Sequence, residues 1–210
     1  MKTALITASP KHTGSASAAL LAQLKSRLPS DIETVDVAMH TPTLTAEAMA
    51  ALEQCETWVF AFPLYVDAIP SHLLSCLMQL ESSHLAGRDK RIFGIVNCGF
   101  YEGSQTEPAV MILKNWCRKA GFSWGCGIGI GCGCAMALLM GLKPVNPLRA
   151  PVDDAISSLA SVIERPRPYA DLYRSFGFPR AAYQAMAYAY WRKRIRENGG
   201  RISDLNNRPE

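Results

Sequence analysis

Ser9-Pro10-Lys11-His12-Thr13-Gly14-Ser15-Ala16-Ser17 stands between an apolar run, Ala4-Leu5-Ile6-Thr7-Ala8, and a helical one, Ala18-Ala19-Leu20-Leu21-Ala22-Gln23-Leu24. A strand, a hydroxyl-rich turn and a helix in this order aim backbone N–H groups and the positive helix end at one point. An anion fits there, and a phosphate fits best. Lys11 adds a full charge, and Ser9, Thr13, Ser15 and Ser17 offer hydroxyl donors. The chain has no G-x-x-x-x-G-K-[ST], and this turn has no G-x-G-x-x-G. The same residues also suit a plain helix start, with Thr13 or Ser15 as cap and Lys11 in solvent.

Outward from this loop the pattern repeats. Asp31 to Val37 alternates as a strand, and Ala46 to Gln54 reads as a short helix. Thr57-Trp58-Val59-Phe60-Ala61-Phe62 is a nearly continuous apolar run, as in a strand covered on both faces. It stops at Pro63, and a helix follows from about Ser71 to Ser82. Arg91 to Asn97 is a fourth strand, Glu107 to Ala120 a helix, Phe122 to Gly131 a fifth strand and Pro151 to Ile163 a helix. Five strands alternating with helices predict a parallel α/β sheet covered on both faces. Ligands of such sheets bind beyond the carboxyl ends of the strands. The loops at 9–17, 63–70 and 97–104 all fall there.

Composition narrows the class. The chain has 210 residues, 49% hydrophobic and 19% charged, as expected of one globular domain with an appendage. Residues 1–164 carry 12 basic and 14 acidic side chains, and residues 165–210 carry 10 and 4, so the formal net charge of +4 belongs to the tail. The start shows no signal-peptide pattern, and an odd number of cysteines argues against a complete disulfide framework; both predict a cytoplasmic protein with reduced thiols. Phe122 to Leu142 lacks charge over a length that spans a bilayer. Its Gly-x-Gly alternation favours a strand closely approached by other backbone.

The second loop supplies Pro63, Leu64, Tyr65, Val66 and Asp67, and the third supplies Asn97, Gly99, Phe100, Tyr101 and Glu102. Aromatic rings beside backbone polar groups suit a flat, edge-polar heterocycle. A phosphate at one end and such a ring at the other describe a mononucleotide, and FMN suits the single anion loop better than a dinucleotide. Asp67 fits equally a turn residue and a hydrogen-bonding group beside the ring.

Ser-Pro-Lys-x-x-x-Ser-x-Ser at 9–17, Pro-Leu-Tyr-Val-Asp-Ala-x-Pro at 63–70 and Asn-Cys-Gly-Phe-Tyr-Glu at 97–102 resemble the flavodoxin-like NAD(P)H-dependent FMN reductase family over roughly residues 1–140. The resemblance implies a flavodoxin-like three-layer sandwich: a five-stranded parallel sheet in the order 2-1-3-4-5, helices on both faces, then a C-terminal helical extension. It implies Ser9, Lys11, Ser15 and Ser17 around the FMN phosphate. Pro63 to Val66, Asn97, Gly99, Phe100 and Tyr101 would border the isoalloxazine. It also implies hydride transfer from NAD(P)H to FMN, then electron transfer to a quinone, flavin, nitro or azo acceptor, with no catalytic protein nucleophile and no metal. The family often has arginine where this chain has Lys11, which keeps the charge and loses the bidentate fork.

Cys126, Cys132 and Cys134 match neither ferredoxin spacing and read as small buried residues; Cys98 likewise reads as packing. Histidines 12, 40, 72 and 84 show no metal-ligand spacing. The domain is expected over 1–164 and the extension over 165–210. A helix is predicted from Pro179 to Glu197, with Tyr183, Met186, Ala187, Tyr190 and Trp191 as an apolar stripe beside Arg192, Lys193, Arg194 and Arg196. Docking on its own domain or in a homodimer is the first expectation for this stripe. An anionic membrane surface is the second, and nucleic acid ranks last.

Overall fold

The apolar alternation of the strands builds a sheet with two buried faces. The computed structural model describes residues 1–143 and 146–206, apart from the side chains of Cys134, Ala137 and Asn206. Strands β1 (Lys2–Thr7), β2 (Glu33–Ala38), β3 (Thr57–Pro63), β4 (Arg91–Asn97), β5 (Ser123–Ile130) and β6 (Leu172–Arg174) alternate with helices. These are α1 (Ala16–Lys25), α2 (Ala46–Gln54), α3 (Ser71–Glu81), α4 (Glu107–Ala120), α5 (Met136–Met140) and α6 (Ala150–Glu164). Every pairing is parallel.

The sheet has six strands in the order β2-β1-β3-β4-β5-β6, which corrects the expected five. The added strand is three residues long and lies in a proline- and arginine-rich stretch, too short to show a period of two. Asp171 fastens it: Oδ1 accepts from Gly127 N at 2.7 Å and from Trp124 Nε1 at 3.1 Å, while Lys114 lies 3.5 Å from Oδ2. Glycine is required in β5 by close approach. A Cβ at Gly129 would collide with Thr106 Oγ1, and one at the following Gly131 with the Tyr101 carbonyl oxygen.

Successive strand residues point to opposite faces. Ala4, Ile6, Trp58, Phe60, Phe62, Ile92 and Val96 join Leu52, Leu73, Leu77, Val110, Leu113 and Trp116 in one core beneath α2, α3 and α4. Leu5, Val59, Phe93 and Ile95 are buried on the other face, where α1 and α6 pack. Buried indoles need acceptors: Trp58 Nε1 donates to the carbonyls of Leu52 and Cys55, and Trp116 Nε1 to that of Leu77. Arg149, 2% exposed, forks onto Asp153 at 2.8 and 3.0 Å, and Arg27 reaches the same carboxylate at 2.8 Å, which ties α1 to α6.

The chain divides into two compact units, Met1–Gly177 and Phe178–Glu210. The second contains α7 (Arg180–Glu197) and a 3-10 turn, Ile202–Asn206. Along α7, Tyr183 is buried and Met186 and Ala187 are half-buried, while Tyr188, Tyr190 and Trp191 are exposed. Lys193 and Arg194 pair with Glu197. No helix among the described residues is long and apolar enough to cross a membrane.

Candidate functional site

The carboxyl ends of β1, β3, β4 and β5 meet at a cleft of about 550 Å3, within the usual range for small-molecule pockets of about 300–1,000 Å3. Its floor is the first turn of α1. Ser15 is the N-cap: its hydroxyl accepts from Ala18 N at 3.1 Å. Ala16 and Ser17, which line the cleft, have backbone N–H groups with no partner among the described residues. These are the donors that a helix start leaves open. Gly14 has φ +61°, which brings the chain round into the cap. Lys11 folds back over this turn, its Nζ donating to Gly14 O at 3.1 Å, and also lines the cleft.

The loop is braced from behind. Ser9, 4% exposed, accepts from Lys11 N at 3.2 Å through its hydroxyl, and its carbonyl accepts from His40 Nδ1 at 2.6 Å. The His12 ring rests 4.6 Å from that of His40. His72, whose Nε2 is buried with no hydrogen-bond partner among the described residues, has its pKa lowered chiefly by burial, against the pull of the Ala8 and Met39 carbonyls.

The second wall comes from the turn after β3. Tyr65 and Ala68 exchange hydrogen bonds at 3.0 Å in both directions, and Val66 and Asp67 have φ +49° and +57°. Positive φ at both central residues is the type I′ pattern, in which a β-branched residue is strained. Val66 is nonetheless fully displayed at the tip, 99% exposed. The third wall is Asn97, whose Oδ1 accepts from Ser17 Oγ at 2.9 Å.

Of the residues singled out in the sequence, the cleft gathers Ser9, Lys11, Ser15, Ser17, Pro63, Tyr65 and Asn97. Thr13, Leu64, Val66, Asp67, Gly99, Phe100, Tyr101 and Glu102 do not line it. Gly99 and Phe100 are exposed, and the carbonyls that follow are in use: Phe100 O accepts from Cys132 N and Tyr101 O from Ser175 Oγ, both at 2.6 Å. The loop at 97–104 is thereby fastened to the chain after β5 and after β6. Gly133 and Met136 line the cleft unannounced. Their signal was the glycine-rich end of a fifth strand, another carboxyl-end loop.

Cys98, Cys126 and Cys132 are buried; the side chain of Cys134 lies outside the described residues. Burial, with Asp171 nearby, pushes the Cys126 thiol up to about 12, which makes it inert. Among the described residues, no three His, Cys, Asp or Glu side chains gather as a metal site.

No protein-family model matches the sequence, and neither does any curated protein. Solved structures do resemble it. The Trp repressor binding protein of Bacillus subtilis aligns with TM-score 0.53 at 17% identity, over 79% of this chain and 99% of that one. The NAD(P)H:quinone oxidoreductase of Methanothermobacter marburgensis aligns with TM-score 0.54 at 10% identity, over 80% and 98%. A Streptococcus pneumoniae flavodoxin aligns with TM-score 0.55 at 10% identity, over 77% and 96%. At such identities the likeness is one of fold. The chain has the flavodoxin-like fold.

Proposed function

We propose that the cleft holds FMN and that the protein is an NAD(P)H-dependent oxidoreductase. The observation that carries this reading is the pair of open N–H groups at Ala16 and Ser17, with Lys11, in a cleft that Tyr65 and Pro63 also line. The open donors and the lysine charge fit a phosphate dianion. The Tyr65 ring, 49% exposed at the edge, fits a flat heterocycle. Bound FMN would supply hydride acceptance from NAD(P)H and electron delivery to a quinone, flavin, nitro or azo acceptor. The residues of the chain bind and orient: the α1 turn fixes the anion, and the rigid Tyr65–Ala68 turn sets the depth to which a ring enters. Thr13, Leu64, Val66, Asp67, Gly99, Phe100, Tyr101 and Glu102 keep a place in this reading as rim residues, outside the cleft lining.

A flavodoxin-type electron carrier is the rival reading, since that fold serves both roles. Such carriers are typically acidic, and residues 1–164 carry a net charge of only −2 while the tail carries +6, which favours the enzyme weakly. We infer a cytoplasmic homodimer in which Tyr190 and Trp191 of α7, both exposed, are the docking residues. Trp191→Glu should then lower the solution mass to that of a monomer. Steady-state oxidation of NADH or NADPH in the presence of FMN and a quinone tests the catalytic claim; turnover no faster than with FMN alone would remove it.

A further inference from the structure

The amino ends of the strands, opposite the cleft, hold a second opening. β4 begins at Arg91 and β5 at Ser123, and the two residues pair in the sheet. Seven residues of β4 separate this end from the cleft at Asn97, a span of roughly 20 Å. A groove of about 370 Å3 runs here, lined by Arg91, Ser123 and Trp124 and by Pro166, Arg167 and Pro168 of the stretch that follows α6. The register of the sheet slips beside it. Ile92 pairs with Trp124 but Gly94 with Gly127, so β5 carries one extra residue between these pairs. A bulge of this kind bends the strand and re-aims its side chains.

Arg91 is half-buried in the groove, and its guanidinium has no hydrogen-bond or ion-pair partner among the described residues. An arginine carries five N–H donors and no acceptor. Arg167 is tethered: Nη2 donates to Ser161 Oγ at 3.3 Å, and the guanidinium lies 5.9 Å from the centre of the Tyr169 ring. The exposed Ser123 hydroxyl adds a donor between them in the lining. Among the described residues no carboxylate lines this groove; Glu56 and Asp89 share an adjoining recess with Arg91, and neither forms an ion pair with it. The rest of the wall is apolar. Trp124 has its Nε1 committed to Asp171, so its indole offers ring surface and no donor, and the two prolines hold their side of the groove stiff.

We propose that this groove is a second binding site, for a small organic anion whose carboxylate or phosphate is held by Arg91 and Arg167 and whose flat apolar body lies on Trp124 and the prolines. Guanidinium groups match the paired oxygens of either head group. The site lies apart from the cleft and does not depend on what the cleft holds.

The indole N–H resonance of Trp124 in the full-length protein, assigned by its loss in Trp124→Phe, is the readout. Benzoate and phenyl phosphate carry both parts of the ligand, benzamide the body without the charge, and inorganic phosphate the charge without the body. At least one of the two aromatic anions should shift the resonance saturably, and the tighter of them names the head group. Arg91→Gln should weaken that anion about tenfold or more, as the loss of a charged hydrogen bond requires. Arg167→Gln should weaken it by a smaller factor, and it carries the test should the change in β4 impair folding. No saturable shift with either anion, a shift matched by benzamide, or binding unaltered in both arginine variants overturns the site. Inorganic phosphate that binds as tightly as the aromatic anions overturns the apolar half of the assignment.

Discussion

Two helix ends in this molecule are treated in opposite ways. At the amino end of the sheet, the C-terminal carbonyls of α2 are closed by a buried lysine: Lys90, 7% exposed, donates from Nζ to Glu53 O and Cys55 O, both at 2.7 Å. At the carboxyl end, the N–H groups of Ala16 and Ser17 open α1 to a cleft. Both ends carry groups that the helix itself cannot satisfy. Where the protein supplies the partner, the residue is structural; where it withholds one, the position is left for a ligand. Strain is distributed in the same way, with Val66 at φ +49° on the cleft side.

The largest effect expected from breaking this contrast is on the structural side. Asp153→Ala strands the buried Arg149 guanidinium and should cost about 3–5 kcal/mol in denaturant unfolding, while flavin affinity in the folded fraction is unchanged. Lys90→Met leaves the α2 carbonyls without their donor and should cost about 1–3 kcal/mol, again with no change at the cleft. On the functional side the sign reverses. Val66→Gly relieves a β-branched residue in left-handed backbone and should stabilise the protein by about 1 kcal/mol. A melting temperature that falls instead would show that the turn is held by Val66 and not in spite of it.

The smallest effect is a pH dependence. Burial lowers the pKa of His72 below the ordinary 6.5, so below pH 6.5 the unfolded chain binds more protons there than the folded one. This contribution to stability is complete above pH 6.5 and declines as the pH falls from there towards the folded pKa. Melting curves between pH 7.5 and about 5 should slope accordingly, and His72→Leu should flatten the slope.

Most of the architecture was legible because its signals were local and periodic. Ala46–Gln54, Arg91–Asn97 and Glu107–Ala120 form the helix, strand and helix expected there. The sixth strand was not legible: three residues show no period, and its main anchor, Asp171, acts on Trp124 and Gly127 across more than forty residues. The anion loop was legible as a strand–turn–helix with Thr13 or Ser15 as cap, and Ser15 is the cap. The hold of Ser17 on Asn97 was not legible, because a contact across 80 residues leaves no mark in local spacing. Ser15→Ala would therefore report the loss of a helix cap, about 0.5–2 kcal/mol, before any loss of phosphate. Lys11→Ala is the cleaner probe.

The central claim is that the open end of α1 and the Tyr65 wall hold a flavin that nicotinamide reduces. Its most direct test is the visible spectrum of the full chain after FMN addition and desalting, then anaerobically with NADH or NADPH. Flavin bands should survive desalting in the wild type, weaken in Lys11→Ala and bleach on addition of the nicotinamide. Bands that survive but do not bleach would contradict the enzyme and leave an electron carrier; a colourless wild-type protein would contradict the flavin site itself.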